Sequence, residues 1–371
     1  MTNGSPDWCR ISNVEEIPSP SLIFYIERID ENVRRMIQIA GGPERLRPHL
    51  KTHKTAELLR LQMAYGIAKF KCATIAEAEM AGRAGVKDLL LAYQPVGPNV
   101  RRLLELIRRF PGTRFSALLD DAGAAASLSK AAQQGHLTVD VYLDLDCGQR
   151  RSGVAPSPEA LGLYKQIASL DGLHIKGLHA YDGHIHDSDP IIREQNCESS
   201  FRDVANFSLE IQKTGLPAPH IIAGGTPTFP IHAKRKNVEC SPGTCVLWDH
   251  GYASKLPDMD FLPAALVLTR VVSKPHGNRI CLDLGHKAVA SENPHPRVFF
   301  PALPNAVPVM HSEEHLVLET PHPVEFSIGR VLYGIPWHIC PTVALHAHAI
   351  VVTDSNAGEK WAIARDRTFS I

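Results

Sequence analysis

The stretch "RPHLKTHKTAEL", residues 47 to 58, places two amines, Lys51 and Lys54, and two imidazoles, His49 and His53, where a strand-like run gives way to a helix start. An amine at a strand end can attack a carbonyl carbon and hold a cofactor covalently. Further along, "AGGTPTF" sets Gly224, Gly225 and Thr226 directly after an apolar run, and "CSPGT" adds Gly243 and Thr244. Glycine turns of this kind let backbone N–H groups surround a phosphate at close range. A strand-end amine together with a phosphate cradle suits a phosphorylated aldehyde, and pyridoxal 5'-phosphate is the cofactor of that description.

The elements that must position these groups alternate. The strand candidates are "SLIFYI", "RLRPHLKT", "KFKCATI", "DLLLAY", "RFSALLD", "VDVYLDLD", "KGLHAYD" and "HIIAGG", and helical segments such as "ERIDENVRRMIQIAG" and "DDAGAAASLSKAAQQG" lie between them. Eight such units over residues 21–250 predict an α/β fold, a (β/α)8 TIM-like barrel. The open doubly wound alternative lacks its G-x-G-x-x-G after "SLIFYI". A barrel carries its chemistry where strands end, which collects Lys51, His53, Thr74, Gln94, Asp120, the segment from Asp146 to Arg151, His179 to His186, and the Gly224 turn. Beyond Asp249, "AALVLTRVVSK", "RICLDLG", "EEHLVLET", "GRVLYGI" and "ALHAHAIVVTD" read as strands without intervening helices. They predict an all-β domain over residues 251–371, which residues 1–20 join.

Composition narrows the partners. The 371 residues are 44% hydrophobic, with 39 basic and 39 acidic side chains, so no overall field attracts nucleic acid or an anionic membrane. No apolar run approaches bilayer length. The eight cysteines form no C-x-x-C pair and no signal peptide precedes them, so a reducing cytoplasm is expected, with a small molecule as ligand.

In family order, "RPHLKTHK", "KFKCATIAEAE", "DLDCGQRRSGV", "YDGH", "AGGTPTF", "SPGT", "DLGHKAV", "SEEH" and "HICPT" resemble the fold-type III pyridoxal phosphate enzymes of the D-threonine aldolase and D-serine dehydratase group. The resemblance, over nearly the whole chain, implies the alanine racemase type of barrel plus a C-terminal β domain. It makes Lys51 the Schiff-base lysine, while Lys54 opens the next helix, and it puts Arg151 beside the pyridoxal ring, with Arg150 pointing elsewhere. Gln94, Tyr181, Gly224, Gly225, Thr226, Gly243 and Thr244 complete the expected cofactor contacts, and His179 and His184 lie close by. His186 stands where the dehydratase pattern "HxGHxY" has Tyr.

In this family a pair matching His338 and Cys340 holds a divalent metal, Zn, Mn or Mg, with zinc favoured by the donors. Two residues apart on an extended segment, both side chains would face the same way. Asp283, Lys287 and His315 also match family patterns and are expected to support the site, and the metal pair stands in for the catalytic tyrosine of the racemases. The implied activity is retro-aldol cleavage of D-threonine-type substrates to glycine and an aldehyde. The alternative is a dehydratase releasing a 2-oxo acid and ammonia. A non-catalytic pyridoxal phosphate binder would lack the β domain. Members are typically homodimers in which the β domain of one chain caps the barrel mouth of another.

Overall fold

The computed structural model describes residues 6–275 and 277–365, which divide into two compact units. One holds Met36–Lys51 and Leu58–Gly243, and the other holds residues 6–35, Thr52–Glu57 and Thr244–Arg365.

The first unit is the barrel. Seven strands pair in parallel in chain order: Lys69–Cys72, Asp88–Leu91, Arg114–Leu119, Val139–Leu145, Leu173–Ala180, His220–Ala223 and Val238–Cys240. Residues 46–49 form the eighth stave. Arg47 N–H donates to the Cys240 carbonyl at 2.9 Å on one side, and Lys71 N–H to the Pro48 carbonyl at 2.9 Å on the other. Pro48 has no N–H to offer a ladder, so this stave joins through isolated bridges. Helices between strands begin where side chains cap them, at Asp121, Ser157 and Asp189. At Thr74 the hydroxyl accepts from Glu77 N–H, and the Glu77 carboxylate accepts from Ala73 N–H.

The expected count of eight staves holds, but with different members. "SLIFYI" is not in the barrel: Ser21–Tyr25 runs antiparallel to Ala265–Ser273 and parallel to His348–Thr353 in the second unit. All five residues are buried, and a continuous apolar run suits the middle of either sheet, so only pairing partners decide its place. Val238–Cys240, too short to signal itself, takes the vacant position.

Inside the barrel the inward rows change character along the strands. Asp88 precedes Leu90, and Tyr142 precedes Asp144. An ionic group of Arg47, Asp88, Lys69 and Glu239 gives way to an apolar cluster of Leu90, Leu118, Tyr142 and Ile222. Lys71, Asp144 and His179 follow, toward the strand ends.

The second unit is a mixed sheet ordered Val307–His311, Leu316–Glu319, Arg279–Leu282, Ala265–Ser273, Ser21–Tyr25, His348–Thr353 and Asn356–Ala362, with Val331–Pro336 also paired to Ala265–Ser273. Cys9, Ile11 and Ile17 pack on it beside Ile23 and Tyr25. The expectation of strands without helices fails at Ile339–Leu345, a seven-residue helix. Pro341 lies in its first turn, where a missing N–H costs no helical bond.

Candidate active site

In the barrel unit, Lys51 sits in a single 3-10 turn, Leu50–Thr52, directly after the Pro48 stave. Its Nζ lies 5.6 Å from the centre of the Tyr181 ring, and the Arg151 guanidinium carbon lies 4.9 Å from the same ring. Tyr181 follows the strand Leu173–Ala180, and its ring rests against two glycines. A Cβ on Gly225 would come within 2.8 Å of Tyr181 Cε2, and one on Gly183 within 2.4 Å of the ring. The turn is glycine because an aromatic platform occupies the space a side chain would need.

The "DLDCGQRRSGV" segment is folded to present Arg151. Asp146 Oδ1 accepts from the N–H groups of Gly148 and Arg150, both at 2.9 Å, and Gly153 N–H donates to Asp120 Oδ2 at 2.8 Å. Gly153 has φ +92° and no room for a Cβ, which would stand 2.7 Å from Leu145 C. Gln94 Oε1 accepts from Asp120 N–H at 2.8 Å, so its carbonyl end anchors the residue that anchors this loop. Arg150, at φ +54°, is exposed.

A residue the motif reading passed over stands beside this platform. Lys71 is buried, its Nζ is 5.7 Å from the Tyr181 ring centre, and it lies 3.3 Å from His179 Nε2. His179 Nδ1 bonds to Asp144 Oδ1 at 2.7 Å, and Ser152 Oγ donates to Asp144 Oδ2 at 3.0 Å. Burial, and then the charge of Lys51, bring the Lys71 ammonium down from 10.5 to about 7. Burial and the charge of Lys71 also lower His179, against the pull of Asp144. Burial opposes ionisation of Asp144, but the His179 and Ser152 bonds outweigh it and hold the carboxyl below its usual range. The available signal in "KFKC" was that Lys71 shares a strand face with Lys69.

The glycine turn is braced from within. Gly224 N–H donates to the Ala180 carbonyl at 3.0 Å, Gly225 N–H to Thr228 Oγ1 at 3.2 Å, and Gly243 N–H to Thr226 Oγ1 at 3.2 Å. These bonds brace the Gly224 turn and tie the Gly243 turn to it. Thr228 donates to Asp182 Oδ1 at 2.8 Å, and His232 Nε2 bonds to Asp182 Oδ2 at 2.8 Å.

Asp182, Cys197 and His232 are buried and close enough to suggest a metal, the one such cluster among the described residues. Their bonding does not fit one. Arg235 donates to His232 Nδ1 at 3.1 Å, so Nε2 carries the proton toward Asp182 and offers no lone pair. Burial pushes the Cys197 thiol up to about 12, which keeps it protonated.

In the second unit, His338 caps the helix Ile339–Leu345 with extended dihedrals and Cys340 lies in its first turn, so the pair spans a helix start and not an extended segment. The two side chains still meet. Burial alone would lower His338, but a hydrogen bond to Cys340 and its charge, followed by Glu292, outweigh it and raise the imidazole to about 9. Glu292 Oε1 is 2.5 Å from His338 Nδ1, so Nε2 is the nitrogen that could bind an ion, once the ion has displaced its proton. Cys340 Sγ lies 3.2 Å from Thr52 Oγ1 and 3.5 Å from Thr244 Oγ1. Asp249, pushed up to about 6 by burial, accepts from Ile339 N–H at 3.0 Å and Tyr252 N–H at 2.9 Å and so fixes the helix start. Glu292 and Asp249 carried no motif, because their partners come from 46 and 90 residues away. An imidazole nitrogen and a thiol, with a carboxylate behind the imidazole, are two donors of the types that a zinc ion takes.

Other expected residues serve elsewhere. Asp283 accepts from Ser19 and Thr269 hydroxyls at 2.5 and 2.6 Å, and Lys287 pairs with Glu314 at the surface. His315 is exposed. His184 is exposed beside Gly148, and His186 Nδ1 bonds to the His184 carbonyl.

The alanine racemase N-terminal domain family matches residues 25–249, and a serine dehydratase domain family matches residues 264–352. D-threonine aldolase of Arthrobacter sp is 29% identical, over 94% of this chain and 92% of that protein. 3-Hydroxy-D-aspartate aldolase of Paracoccus denitrificans is 25% identical over the same shares. The crystal structure of D-threonine aldolase from Filomicrobium marinum superposes with a TM-score of 0.89 at 26% identity, covering 98% of this chain and all of that one. With a strand-end lysine facing a tyrosine platform in a parallel barrel, and relatives that are lyases, the chain belongs to the alanine racemase-like, fold-type III family of pyridoxal phosphate enzymes.

Proposed function

We propose that this protein is a pyridoxal phosphate- and metal-dependent lyase that cleaves the Cα–Cβ bond of D-β-hydroxy-α-amino acids such as D-threonine, giving glycine and an aldehyde. The observation that carries the reading is the convergence of the Lys51 amine and the Arg151 guanidinium on the Tyr181 ring. Those residues fit a flat, anionic cofactor. Lys51 would hold it covalently, Tyr181 would back it, Arg151 would balance charge at its edge, and the braced turns at Gly224 to Thr226 and Gly243 to Thr244 would border its phosphate. When bound, the cofactor supplies an electron sink for the pair left on Cα.

His338, through Nε2, and Cys340 would hold a divalent ion, zinc in preference to Mn or Mg, whose chemistry is to acidify a bound alcohol. Glu292 keeps the Nδ1 proton of His338 and so points Nε2 at the ion. Chelation should abolish turnover and leave the cofactor's absorbance in place, whereas undiminished turnover in verified metal-free protein would reject this part.

A second reading has its own observation. The resemblance associates cysteine at the Cys340 position with dehydratases and carboxylate with the well-known aldolases, so loss of the β-hydroxyl as water is the rival outcome. Product analysis with D-threonine decides: glycine and acetaldehyde for the aldolase, 2-oxobutanoate and ammonia for the dehydratase. We expect mainly glycine and acetaldehyde, with L-threonine inert; dominant ammonia release would overturn the aldolase reading. All eight cysteines are free thiols, which supports a cytosolic setting, and we take the working form to be a homodimer, to be checked by sedimentation.

A further inference from the structure

Two amines face the Tyr181 ring at nearly the same distance, Lys51 Nζ at 5.6 Å and Lys71 Nζ at 5.7 Å. If one is committed to holding the cofactor, the other is a free amine at the same platform. Lys71 is 2% exposed and its hydrogen-bond partner is an imidazole, His179, with no carboxylate paired to it directly. His179 donates through Nδ1 to Asp144, so its Nε2 is an acceptor, and Lys71 is the donor in that bond. The arrangement orients the amine through a rigid three-residue chain while leaving two of its three N–H positions uncommitted to His179.

We propose that Lys71 is the proton donor to the substrate's α-carbon, oriented by the His179–Asp144 pair, in the cleavage reaction put forward above; the inference rests on that reading for its substrate. The step balances. As Cα–Cβ breaks, the β-hydroxyl loses its proton and becomes the carbonyl of the departing aldehyde, and the bonding pair remains with Cα. An N–H bond of the Lys71 ammonium then breaks, its proton forms the new Cα–H bond of glycine, and Lys71 is left as a neutral amine. The proton released by the hydroxyl restores the ammonium, so the cycle takes up and releases none.

A donor of this kind works best when it holds its proton weakly near neutral pH, and Lys71 has the surroundings for it. In the cofactor-free protein, burial and the positive charges of Lys51 and Arg47 weaken its hold, and Asp144 and Asp182 oppose them, leaving about 7. His179, the neighbour in direct contact, is itself lowered and neutral. No motif assigned Lys71 this role, and Lys51 remains the residue that holds the cofactor.

The test separates the proton step from carbon–carbon cleavage by following deuterium uptake at Cα of glycine in D2O, with holoenzyme and Lys71→Met. Exchange should fall at least about 100-fold in the variant. Cofactor absorbance and borohydride fixation on the Lys51 peptide should remain. Lys71→Arg, which keeps a charge that does not dissociate near neutrality, should be equally impaired. A readout independent of turnover is the 13Cε resonance of Lys71 in cofactor-free protein, assigned by its absence in the variant, which should titrate near 7.

Exchange in Lys71→Met within about twofold of wild type would overturn the proposal. So would restoration by Arg, or a titration in the ordinary lysine range. If wild type releases no aldehyde from D-threonine yet exchanges glycine protons in a Lys71-dependent manner, the substrate reading falls and the role of Lys71 stands. Should Lys71→Met fail to fold, Lys71→Gln carries the same comparison.

Discussion

Arg47 and Lys71 are both buried cations of the same barrel, at 1% and 2% exposure, and they differ in what surrounds them. Arg47 meets two carboxylates, Glu239 at 2.7 Å and Asp88 at 2.6 Å, and these are shared with Lys69 and Arg114. Burial alone would loosen its proton, but Glu239 and Asp88 more than compensate and raise it above its usual value. Lys71 meets a neutral imidazole, and its carboxylate stands one residue further away, behind His179. The difference teaches how one scaffold separates a structural charge from a chemical one. Direct ion pairing locks the proton in place, whereas an intervening imidazole orients the amine and leaves the proton mobile.

The largest effect expected from this contrast is in stability. Arg47→Met would strand Asp88 and Glu239 in the interior and should cost about 3–5 kcal/mol in urea unfolding, because a buried charge that loses its partner is not resolvated. A loss below about 1 kcal/mol would mean that water already reaches the group. Next comes pH. The folded Lys71 releases its proton near 7, while the unfolded chain keeps one up to 10.5, so between those values the unfolded state binds more protons. Wild-type stability relative to Lys71→Met should therefore rise as pH climbs from about 7 towards about 10. Parallel stability curves for the two proteins over that window would break the contrast.

The carboxylates of the Arg47 group act at the other end of the scale. Burial opposes their ionisation, but Arg47 holds both below their ordinary 3.8 and 4.5. Their contribution is complete above those values and is lost as pH falls through the folded ones, so Arg47→Met should flatten the acid limb only. Smaller effects follow. Ser152→Ala removes one bond to the Asp144 carboxylate and should cost about 1 kcal/mol, measured by the same unfolding. Lys71→Met should change stability at pH 7 by less than about 1 kcal/mol, since relief of a buried ammonium offsets the lost bond to His179. A penalty of the size expected for Arg47 would show that Lys71 is structural as well.

What the amino-acid sequence determined by itself was the chemistry carried by local runs. "RPHLKTHK" offers Lys51 as a strand-end amine, "DLDCGQRRSGV" encodes its own turn through Asp146 and Gly153, and "AGGTPTF" announces a glycine turn; in the last two the bonded partners are near neighbours in the chain or a single backbone conformation demands the residue. The tertiary structure alone decided the rest. Ser21–Tyr25 could serve either sheet, since all five of its side chains are buried in any case, and its partners lie more than 200 residues away. His338 and Cys340 looked extended until Asp249, 90 residues earlier, supplied an acceptor that starts a helix between them. Lys71 read as one more polar residue of a strand, because its environment is made by Asp144 and His179, and the latter stands 108 positions further on. Pairing across such distances depends on which strands close the barrel, and strand closure leaves no periodic trace in the residues it brings together.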